Sequence, residues 1–264
     1  MNGLAATAVV DYARLLPELR ALARRASDVI LPYHRVAVAR AKADGSPVTD
    51  ADQAAEALIL DGLARLTPDI PVVAEEEVAT GRVPDISGGR FWLVDPLDGT
   101  REFVKGNGEF TVNIGLVEQG RPVLGVIHIP TRRRGYAGIV ATRHVVAADE
   151  DGPDRAIAAR PVPARDLVVV ASRSHRTPEL EAYIARLPVK SSASAGSSLK
   201  FCLVAEGSAD VYPRLGRTME WDTAAGQAIV EAAGGRVHLI DGGPLTYGKA
   251  GFENPNFVVE GRAS

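Results

Sequence analysis

The stretch Phe91-Trp-Leu-Val-Asp-Pro-Leu-Asp-Gly-Thr100 constrains the fold and chemistry of this chain more than any other segment. Its first four residues form a short apolar run of β type, and Pro96 favours an extended backbone at the residue before it. We therefore expect Asp95 at the end of a strand and Asp98 in the turn that follows. A strand that ends in such a turn displays both carboxylates side by side and leaves the next two backbone amides available to an anion.

Two interpretations of these carboxylates are open from the stretch alone. Aspartate followed by proline or glycine is common in turns without any chemical role. Acidic groups beside anion-binding amides instead indicate a cation that bridges the protein and a phosphate. Other segments of the chain help to decide between ordinary turn residues and a cation-binding site.

Composition excludes several other classes of protein. The 264 residues are 46% hydrophobic, which suffices for one large domain or two packed halves. The net charge is −3, the pI is about 6.0 and the basic residues are scattered, so no surface for a nucleic-acid polymer is predicted. The run Arg132-Arg133-Arg134 is expected in a solvated loop. The only cysteine, Cys202, lies in an apolar run and is expected to be a buried thiol, since it has no partner for a disulfide within the chain.

The sequence predicts a cytoplasmic protein. Residues 1–10 contain a small apolar run without a basic segment before it, which does not match a signal peptide. No stretch approaches the roughly 18 apolar residues of a spanning helix. Peripheral association with the cytoplasmic face of the inner membrane is left open, although the sequence shows no anchor.

Periodicity predicts a mixed α and β chain with a division near residues 149–165, where Pro, Ala, Asp and Gly accumulate. The first half, 1–148, is expected to contain two amphipathic helices, a short strand that runs into Glu75-Glu-Glu77, and antiparallel strands after residue 110. The second half, 149–264, alternates strands and helices. The predicted helices and strands are helix 11–34, helix 53–66 with Thr49 or Asp50 as its cap, strand 70–74, strands 111–117, 122–129, 136–140 and 144–147, strand 167–171, helix 177–187, strand 189–192, helix 197–206, strand 210–212, helix 222–233 and strand 236–240.

Four acidic residues are candidates for one metal site. Glu75, Asp95 and Asp98 each follow an apolar strand, and Asp222 begins a predicted helix, where an N-cap role is the simplest explanation. Converging carboxylates repel one another unless cations neutralise them. A set of oxygen ligands without cysteine or paired histidine favours Mg²⁺, and the five histidines show no zinc spacing.

The motifs resemble the inositol monophosphatase superfamily of Mg²⁺-dependent, lithium-sensitive phosphomonoesterases. The matching elements are Asp-Pro-Leu-Asp-Gly-Thr at 95–100, the acidic pair Glu75-Glu76, Thr49-x-x-Asp52, and Trp221-Asp222 with its Ala- and Gly-rich helix. They occur in the family's order along nearly the whole chain. The resemblance implies a layered αβαβα sandwich of the type shared with fructose-1,6-bisphosphatase.

The resemblance also implies a role for each residue of the site. One Mg²⁺ would be bound by Glu75, Asp95 and the carbonyl of Leu97, and a second by Asp95, Asp98 and Asp222. Asp52 and Thr100 would orient and deprotonate a water that attacks the phosphate in line, without a phosphoenzyme. The amides of Gly99 and Thr100 would bind phosphate oxygens, and Li⁺ is expected to inhibit.

Further motifs resemble the bacterial 3'(2'),5'-bisphosphate nucleotidases of the CysQ type within that superfamily. They are Asp98-Gly-Thr-Arg-Glu-Phe103, Asn107-Gly-Glu-Phe-Thr-Val-Asn-Ile114, Ser172-Arg-Ser-His175 and Gly196-Ser-Ser-Leu-Lys-Phe-Cys-Leu-Val-Ala-Glu-Gly207. A substrate with two phosphates needs cationic groups for the phosphate that is not cut. The resemblance assigns nucleotide binding to His175, Ser197, Lys200 and Arg214, together with Glu75, Leu97, Asp98, Gly99, Thr100 and Asp222 at the scissile phosphate.

The expected function is hydrolysis of adenosine 3',5'-bisphosphate to AMP and phosphate, linked to sulfate assimilation, with 3'-phosphoadenosine 5'-phosphosulfate as a further possible substrate. An inositol monophosphatase or sugar bisphosphatase with the same metal site is the enzymatic alternative. A silent nucleotide- or metal-binding regulator is the alternative from another class. The expected partner is the small nucleotide, with no obligate protein partner, in a monomer or homodimer.

Three residues depart from the family pattern. Arg101 stands where lysine is common, and the two side chains are not equivalent towards phosphate. Glu77 stands where the acidic segment often ends in aspartate. Asp50 adds a carboxylate two residues before Asp52, which leaves the choice of the base open.

Overall fold

The computed structural model describes residues 10–42, 47–174 and 176–263. Its helices, in chain order, are α1 (Tyr12–Ile30), α2 (Asp50–Leu66), α3 (Glu75–Ala79), α4 (Thr100–Val104), α5 (Pro178–Ile184), α6 (Leu199–Ala205) and α7 (Ala224–Ala232). Short 3-10 turns occur at Leu31–Tyr33, Pro130–Arg132, Glu220–Asp222 and Ala250–Phe252. The strands are β1 (Arg40–Ala41), β2 (Pro47–Val48), β3 (Val72–Ala74), β4 (Arg90–Asp98), β5 (Thr111–Glu118), β6 (Arg121–Ile129), β7 (Arg134–Ile139), β8 (His144–Asp149), β9 (Arg155–Ala156), β10 (Leu167–Ser172), β11 (Val189–Ala195), β12 (Val211–Arg214), β13 (Arg236–Leu239) and β14 (Phe257–Glu260).

The first two long helices form where their apolar periodicity predicts them. Asp11 caps α1 by accepting a hydrogen bond from the Arg14 amide at 3.1 Å, and Pro17 lies within the helix without ending it. Thr49 caps α2, which begins three residues earlier than predicted because Asp52 completes a capping box with Thr49. The acidic segment after β3 forms the short helix α3.

β4 lies in a seven-stranded sheet with the order β3-β4-β5-β6-β7-β8-β9. Its pairing with β3 is parallel, and the strands from β4 to β9 pair antiparallel, which confirms the hairpin predicted from β5 and β6. Residues of β4 are buried almost throughout, as expected for a strand covered on both faces.

The end of β4 differs from the prediction. The strand continues past Val94 to Asp98, so Asp95 lies within it and pairs with Asn113 on β5. The register shifts between Asp95 and Asp98, because Pro96 has no backbone N–H to donate to the ladder. This shift changes where Asp95 and Asp98 lie relative to the residues of β5 that face them. The positive φ of Gly99 (+92°) then ends β4.

A second sheet has five strands in the order β11-β10-β12-β14-β13. Most of its strands were predicted from the alternating pattern, but β14 was not, although it pairs antiparallel with both β12 and β13. The predicted division of the chain at 148/149 stays a prediction. β8 spans that position, and β9, which follows it, pairs with β8 in the first sheet.

The two sheets and their helices form five layers. α1 and α2 cover one face of the seven-stranded sheet, and α6 and α7 lie between the two sheets. α5 packs on the far face of the second sheet, beside the cluster of Leu167, Val169, Val211 and Val258. Gly125 lets α7 approach β6, because a Cβ there would lie 2.2 Å from the carbonyl oxygen of Ala225. The predicted layered α and β fold is therefore confirmed.

Two smaller expectations also have clear outcomes. Cys202 is buried and unpaired, as predicted. The basic run is not wholly a loop, because Arg134 begins β7 and its side chain pairs with Glu206 at 3.0 Å. Among the described residues, no helix is long and apolar enough to cross a membrane.

Candidate active site

A cleft of about 610 Å³ opens where the two sheets meet. Its walls come from α3, the β4–α4 turn, the segment before α6, and the segment between β12 and α7. Eight of the residues predicted from the sequence line it: Glu75, Asp98, Gly99, Thr100, Ser197, Lys200, Arg214 and Asp222. Asp52, Asp95 and Leu97 lie directly behind this lining, and His175 lies outside the described residues.

The end of β4 fixes the central carboxylates. Asp95 is buried, and one of its carboxylate oxygens accepts a hydrogen bond from the Leu97 amide at 2.9 Å. Asp98 lines the cleft, and Asn113 Nδ2 lies 3.5 Å from one of its oxygens. A side chain on Gly99 would lie 3.0 Å from the carbonyl oxygen of Glu109, so the turn after Asp98 requires glycine in both conformation and space.

Asp52 and Thr100 form a hydrogen-bonded pair at the edge of the cleft. Thr100 Oγ1 lies 3.2 Å from Asp52 Oδ1 and 3.2 Å from the carbonyl oxygen of Leu97. The other oxygen of Asp52 accepts from the amide and hydroxyl of Thr49, at 2.7 and 2.6 Å. Burial raises the pKa of Asp52, and the hydrogen bonds from Thr49 oppose that rise.

Asp50 is placed differently from Asp52. Its side chain is 65% exposed and pairs with Arg40 at 2.7 Å. The structure therefore favours Asp52 as the base that the sequence left open. Of the other departures from the family pattern, Arg101 lines the cleft, whereas Glu77 pairs with Arg82 Nη2 at 2.8 Å.

Glu75 reaches the cleft from the first turn of α3, which a buried carboxylate holds in place. Glu56 of α2 accepts hydrogen bonds from the amides of Glu76 and Glu77, at 2.8 and 2.9 Å. Lys42 faces the same turn, with its ammonium 2.5 Å from Glu75 and 2.6 Å from Glu76. Burial raises the pKa of both Glu56 and Glu76 to about 7.

Asp222 lies in the 3-10 turn before α7, so it does not begin that helix as predicted. One of its oxygens accepts from the Met219 amide at 2.8 Å, which closes the turn. The turn is anchored by Glu220, a fully buried residue that accepts from the amides of Gly248 and Lys249 at 2.7 and 3.0 Å. Asn254 supports it from the other side by donating to the Met219 carbonyl at 2.8 Å.

The carboxylates of the cleft destabilise one another's charges. Burial raises the pKa of Asp95 well above its ordinary value, and the charges of Glu75, Asp98 and Asp222 raise it further. Burial raises the pKa of Asp98 to about 6, and the charge of Lys200 opposes that rise. Burial raises the pKa of Asp222 to about 8, with the charges of Asp98 and Glu75 adding to the rise. These are oxygen ligands whose charges need a cation, which is the chemistry of a Mg²⁺ site.

The donor set fits Mg²⁺ in chemistry, but its side chains are not arranged as a finished coordination sphere. No group of three or more Asp, Glu, His or Cys side chains within the described ranges has the arrangement of a metal site. Lys42 contacts Glu75 directly, so Glu75 must release that ammonium to bind a metal ion.

The opposite side of the cleft carries two buried cations. Lys200 donates to the carbonyl oxygens of Ala195, at 3.3 Å, and Ser197, and its ammonium lies 5.2 Å from the ring centre of Tyr212. Burial lowers the pKa of Lys200 to about 8, while Asp98 acts to raise it. Arg214 is also buried and donates through Nη2 to the carbonyl oxygen of Arg217 at 2.6 Å.

Sequence reasoning missed the residues that support the carboxylates. Glu56 follows Asp52 by four residues, so the two lie on one face of α2, and this spacing is the signal that was available. Lys42 and Glu220 carried no such signal, because their contacts come from segments that only the fold brings together. Asn254 was missed for the same reason.

The fold and the acidic cleft define a phosphatase of the layered αβαβα class, and comparison with known proteins gives the family. The model of the inositol monophosphatase family matches residues 11–262, so the chain belongs to that family of metal-dependent phosphatases. The 3'(2'),5'-bisphosphate nucleotidase CysQ of Salmonella typhimurium is 49% identical over 250 residues, which cover 93% of this chain and 99% of that protein. The protein of the same name from Escherichia coli is 47% identical over 249 residues, with the same coverage.

Solved structures agree with this assignment. The crystal structure of CysQ from Bacteroides thetaiotaomicron, a bacterial member of the inositol monophosphatase family, superposes with a TM-score of 0.78 at 39% identity and covers 94% of this chain and 98% of that one. An inositol monophosphatase from Anabaena gives a TM-score of 0.76 at 25% identity, covering 96% of this chain and 93% of that one. The predicted family resemblance is therefore confirmed.

Proposed function

We propose that this protein is a Mg²⁺-dependent 3'(2'),5'-bisphosphate nucleotidase that hydrolyses adenosine 3',5'-bisphosphate to AMP and phosphate. The observation that carries the proposal is the division of the cleft into an acidic side and a cationic side with buried Lys200 and Arg214. A substrate with one phosphate would engage the acidic side through metal ions. A second phosphate gives the buried cations a partner. The relatives with 47–49% identity carry the same activity in their names.

The acidic side supplies oxygen ligands for two Mg²⁺ ions. Glu75, Asp95 and the carbonyl of Leu97 would hold one ion, and Asp95, Asp98 and Asp222 the other. When bound, the ions neutralise these carboxylates, bind phosphate oxygens and lower the pKa of water. Their binding removes the mutual repulsion that raises the pKa values of Asp98 and Asp222.

Asp52 and Thr100 are proposed to orient the attacking water and remove its proton. Thr100 has one hydroxyl hydrogen and two neighbouring acceptors, Asp52 and the Leu97 carbonyl. It can donate to only one of them at a time, which leaves its lone pairs to accept a hydrogen bond from water. Asp52 Oδ1, next to that hydroxyl, is placed to take the proton. Its pKa is raised by burial, which makes the carboxylate a stronger base than an exposed aspartate.

The remaining predicted residues hold the substrate. The amides of Gly99 and Thr100 are proposed to bind oxygens of the scissile phosphate, and the metal-binding groups Glu75, Leu97, Asp98 and Asp222 lie around it. Ser197, Lys200, Arg214 and His175 are proposed to bind the rest of the nucleotide. The Lys200 ammonium has three donors, and two protein carbonyls account for two of them.

Phosphate release by the purified protein with Mg²⁺ tests this proposal. We expect the highest kcat/KM on adenosine 3',5'-bisphosphate, compared with myo-inositol 1-phosphate and fructose 1,6-bisphosphate. A preference for either of the last two substrates would retain the metal mechanism and refute the nucleotide assignment. Absence of turnover on all three would favour a silent binder.

Related properties are part of the same proposal. 3'-Phosphoadenosine 5'-phosphosulfate is a further substrate to test, with adenosine 5'-phosphosulfate as the expected product, and activity on it or on adenosine 3',5'-bisphosphate would link the protein to sulfate assimilation. Li⁺ is expected to inhibit, and the enzyme is expected in the cytoplasm, including the cytoplasmic face of the inner membrane.

A further inference from the structure

We infer that the hydroxyl of Thr218 is a specificity-determining group that binds the second phosphate of a bisphosphate substrate. This inference rests on the proposed function and adds to it a residue that neither the sequence motifs nor the comparisons single out. It depends on two buried polar atoms, one on the last residue of β12 and one in the segment between β12 and the 3-10 turn.

The first observation concerns the Thr218 side chain. Thr218 lines the cleft, yet only 8% of the residue is exposed, and its Oγ1 is buried. Oγ1 forms no hydrogen bond with any residue that the structure describes. Buried hydroxyls in proteins are nearly always hydrogen-bonded, because leaving one without a partner is unfavourable. A bound ligand in the cleft would provide that partner.

The position of this hydroxyl is fixed by the backbone around it. The carbonyl of Thr218 accepts a hydrogen bond from the Asn254 amide at 2.9 Å, and the next residue, Met219, pairs with Glu253. Met219 in turn donates to Asp222. The backbone that carries the hydroxyl is therefore held by hydrogen bonds on both sides of the Thr218 side chain.

The second observation is that Arg214, the last residue of β12, presents a matching donor. Its Nη2 reaches forward to the carbonyl oxygen of Arg217, so the guanidinium closes a small loop that ends next to Thr218. The Nε of Arg214 is buried and has no hydrogen-bond partner in the described part of the chain. Asn256 holds the loop by accepting from the Gly216 amide at 2.9 Å.

The chemistry of these two atoms selects the ligand. Arg214 Nε can only donate a hydrogen bond, and the Thr218 hydroxyl donates as readily as it accepts. Two donors beside buried cations fit a group with several acceptor oxygens and negative charge, as in a phosphate. Arg214, proposed above to bind the part of the nucleotide away from the metal ions, closes the loop that ends next to Thr218. The geometry therefore points to the phosphate that is retained.

The test compares Thr218→Val, which keeps the shape and removes the hydroxyl, with Thr218→Ser, which keeps the hydroxyl. Thr246→Val, at an exposed threonine, is the matched control. For each protein with Mg²⁺, KM for adenosine 3',5'-bisphosphate is measured, with inhibition constants for AMP and for inorganic phosphate. AMP carries the retained phosphate, and inorganic phosphate probes the scissile position.

We expect Thr218→Val to raise KM and the AMP inhibition constant about tenfold or more, because a hydrogen bond to a charged group is lost. Inorganic phosphate should inhibit as before, Thr218→Ser should behave like the wild type, and Thr246→Val should change nothing. Unchanged AMP inhibition in Thr218→Val would overturn the inference. An equal rise in the inhibition constant for inorganic phosphate would assign Thr218 to the scissile phosphate instead. If Thr218→Ser raised KM and the AMP inhibition constant as much as Thr218→Val does, loss of the hydroxyl would not be the cause of the weaker binding.

Failure of the proposed function would appear separately, in the unmodified protein. If the wild type prefers myo-inositol 1-phosphate to adenosine 3',5'-bisphosphate, the nucleotide assignment is wrong before any variant is measured. If the wild type prefers the nucleotide and only the Thr218 variants fail to respond, the function stands and the assignment of this hydroxyl is wrong.

Discussion

Replacing Asp52 by asparagine should lower the catalytic rate while leaving the stability of the fold almost unchanged. In the wild type, Oδ2 of Asp52 accepts two hydrogen bonds from Thr49 that cap α2, and Oδ1 faces the hydroxyl of Thr100. The amide oxygen of asparagine can keep both contacts to Thr49, and its NH₂ can donate to Thr100. The capping box is thereby retained, while the group that takes the proton is lost.

The magnitudes follow from these contacts. Loss of a whole N-cap costs about 0.5–2 kcal/mol, so a retained cap should limit the change in unfolding free energy to about 1 kcal/mol or less. That corresponds to a fall in Tm of no more than about 4 °C for a chain of this size. Loss of a positioned general base costs about 10²- to 10⁴-fold in rate. We therefore expect kcat to fall by that factor with the fold intact.

The assay is steady-state phosphate release with saturating Mg²⁺, together with thermal unfolding of the same samples. Asp50→Asn is the matched control, because Asp50 lies on the same turn of α2 but is 65% exposed and pairs with Arg40. Its kcat should stay within about twofold, since an exposed ion pair contributes little. A kcat for Asp52→Asn within tenfold of the wild type would refute the assignment of the base, and so would an equal loss in Asp50→Asn.

Two further predictions concern the metal site. Glu56→Ala should weaken Mg²⁺ binding, measured by calorimetry, about 10- to 100-fold, because the amides of α3 that position Glu75 lose their acceptor. Asp61→Ala, at a largely exposed residue of the same helix, should leave the Mg²⁺ affinity unchanged. Equal Mg²⁺ affinities in the two variants would contradict the role of Glu56. The second prediction concerns pH. The pKa values of Asp98 and Asp222 are raised to about 6 and about 8, so the folded protein without metal holds protons that the unfolded chain has lost. Asp98 has released most of its proton by pH 6.5, and stability should fall further as pH rises from 6.5 to 8 because Asp222 then loses its proton. Stabilisation by Mg²⁺, measured as the shift in Tm, should grow over the same range, and a shift that shrinks with rising pH would contradict the account.

Much of the site could be predicted from the sequence, because its main groups occupy locally recognisable positions. The strand before Asp95, the turn at Gly99 and the helix cap at Thr49, one of the two residues predicted for it, each depend on a few neighbouring residues, and the structure shows all three. The assignment of Asp95 and its neighbours as metal ligands stays a prediction, since only a metal-binding measurement tests it.

What could not be predicted depends on contacts between distant segments. The extension of β4 to Asp98 requires β5, which pairs with it across the shift. Strand β14 was missed because its place in the sheet depends on pairing with β12 and β13, which lie earlier in the chain. The anchoring role of Glu220, the first residue of the 3-10 turn, could not be predicted because its amide donors lie 28 and 29 residues away.

The most direct test of the central claim is a ratio of specificities in the wild type and in Lys200→Met. The claim is that the acidic side of the cleft hydrolyses one phosphate ester, while the cationic side binds the other phosphate. Methionine fills the buried space of Lys200 without its charge, and the ratio compares kcat/KM for adenosine 3',5'-bisphosphate with that for adenosine 3'-monophosphate. We predict a wild-type ratio well above one that falls at least tenfold in Lys200→Met. A ratio near one in the wild type, or a ratio unchanged by the substitution, would contradict the account.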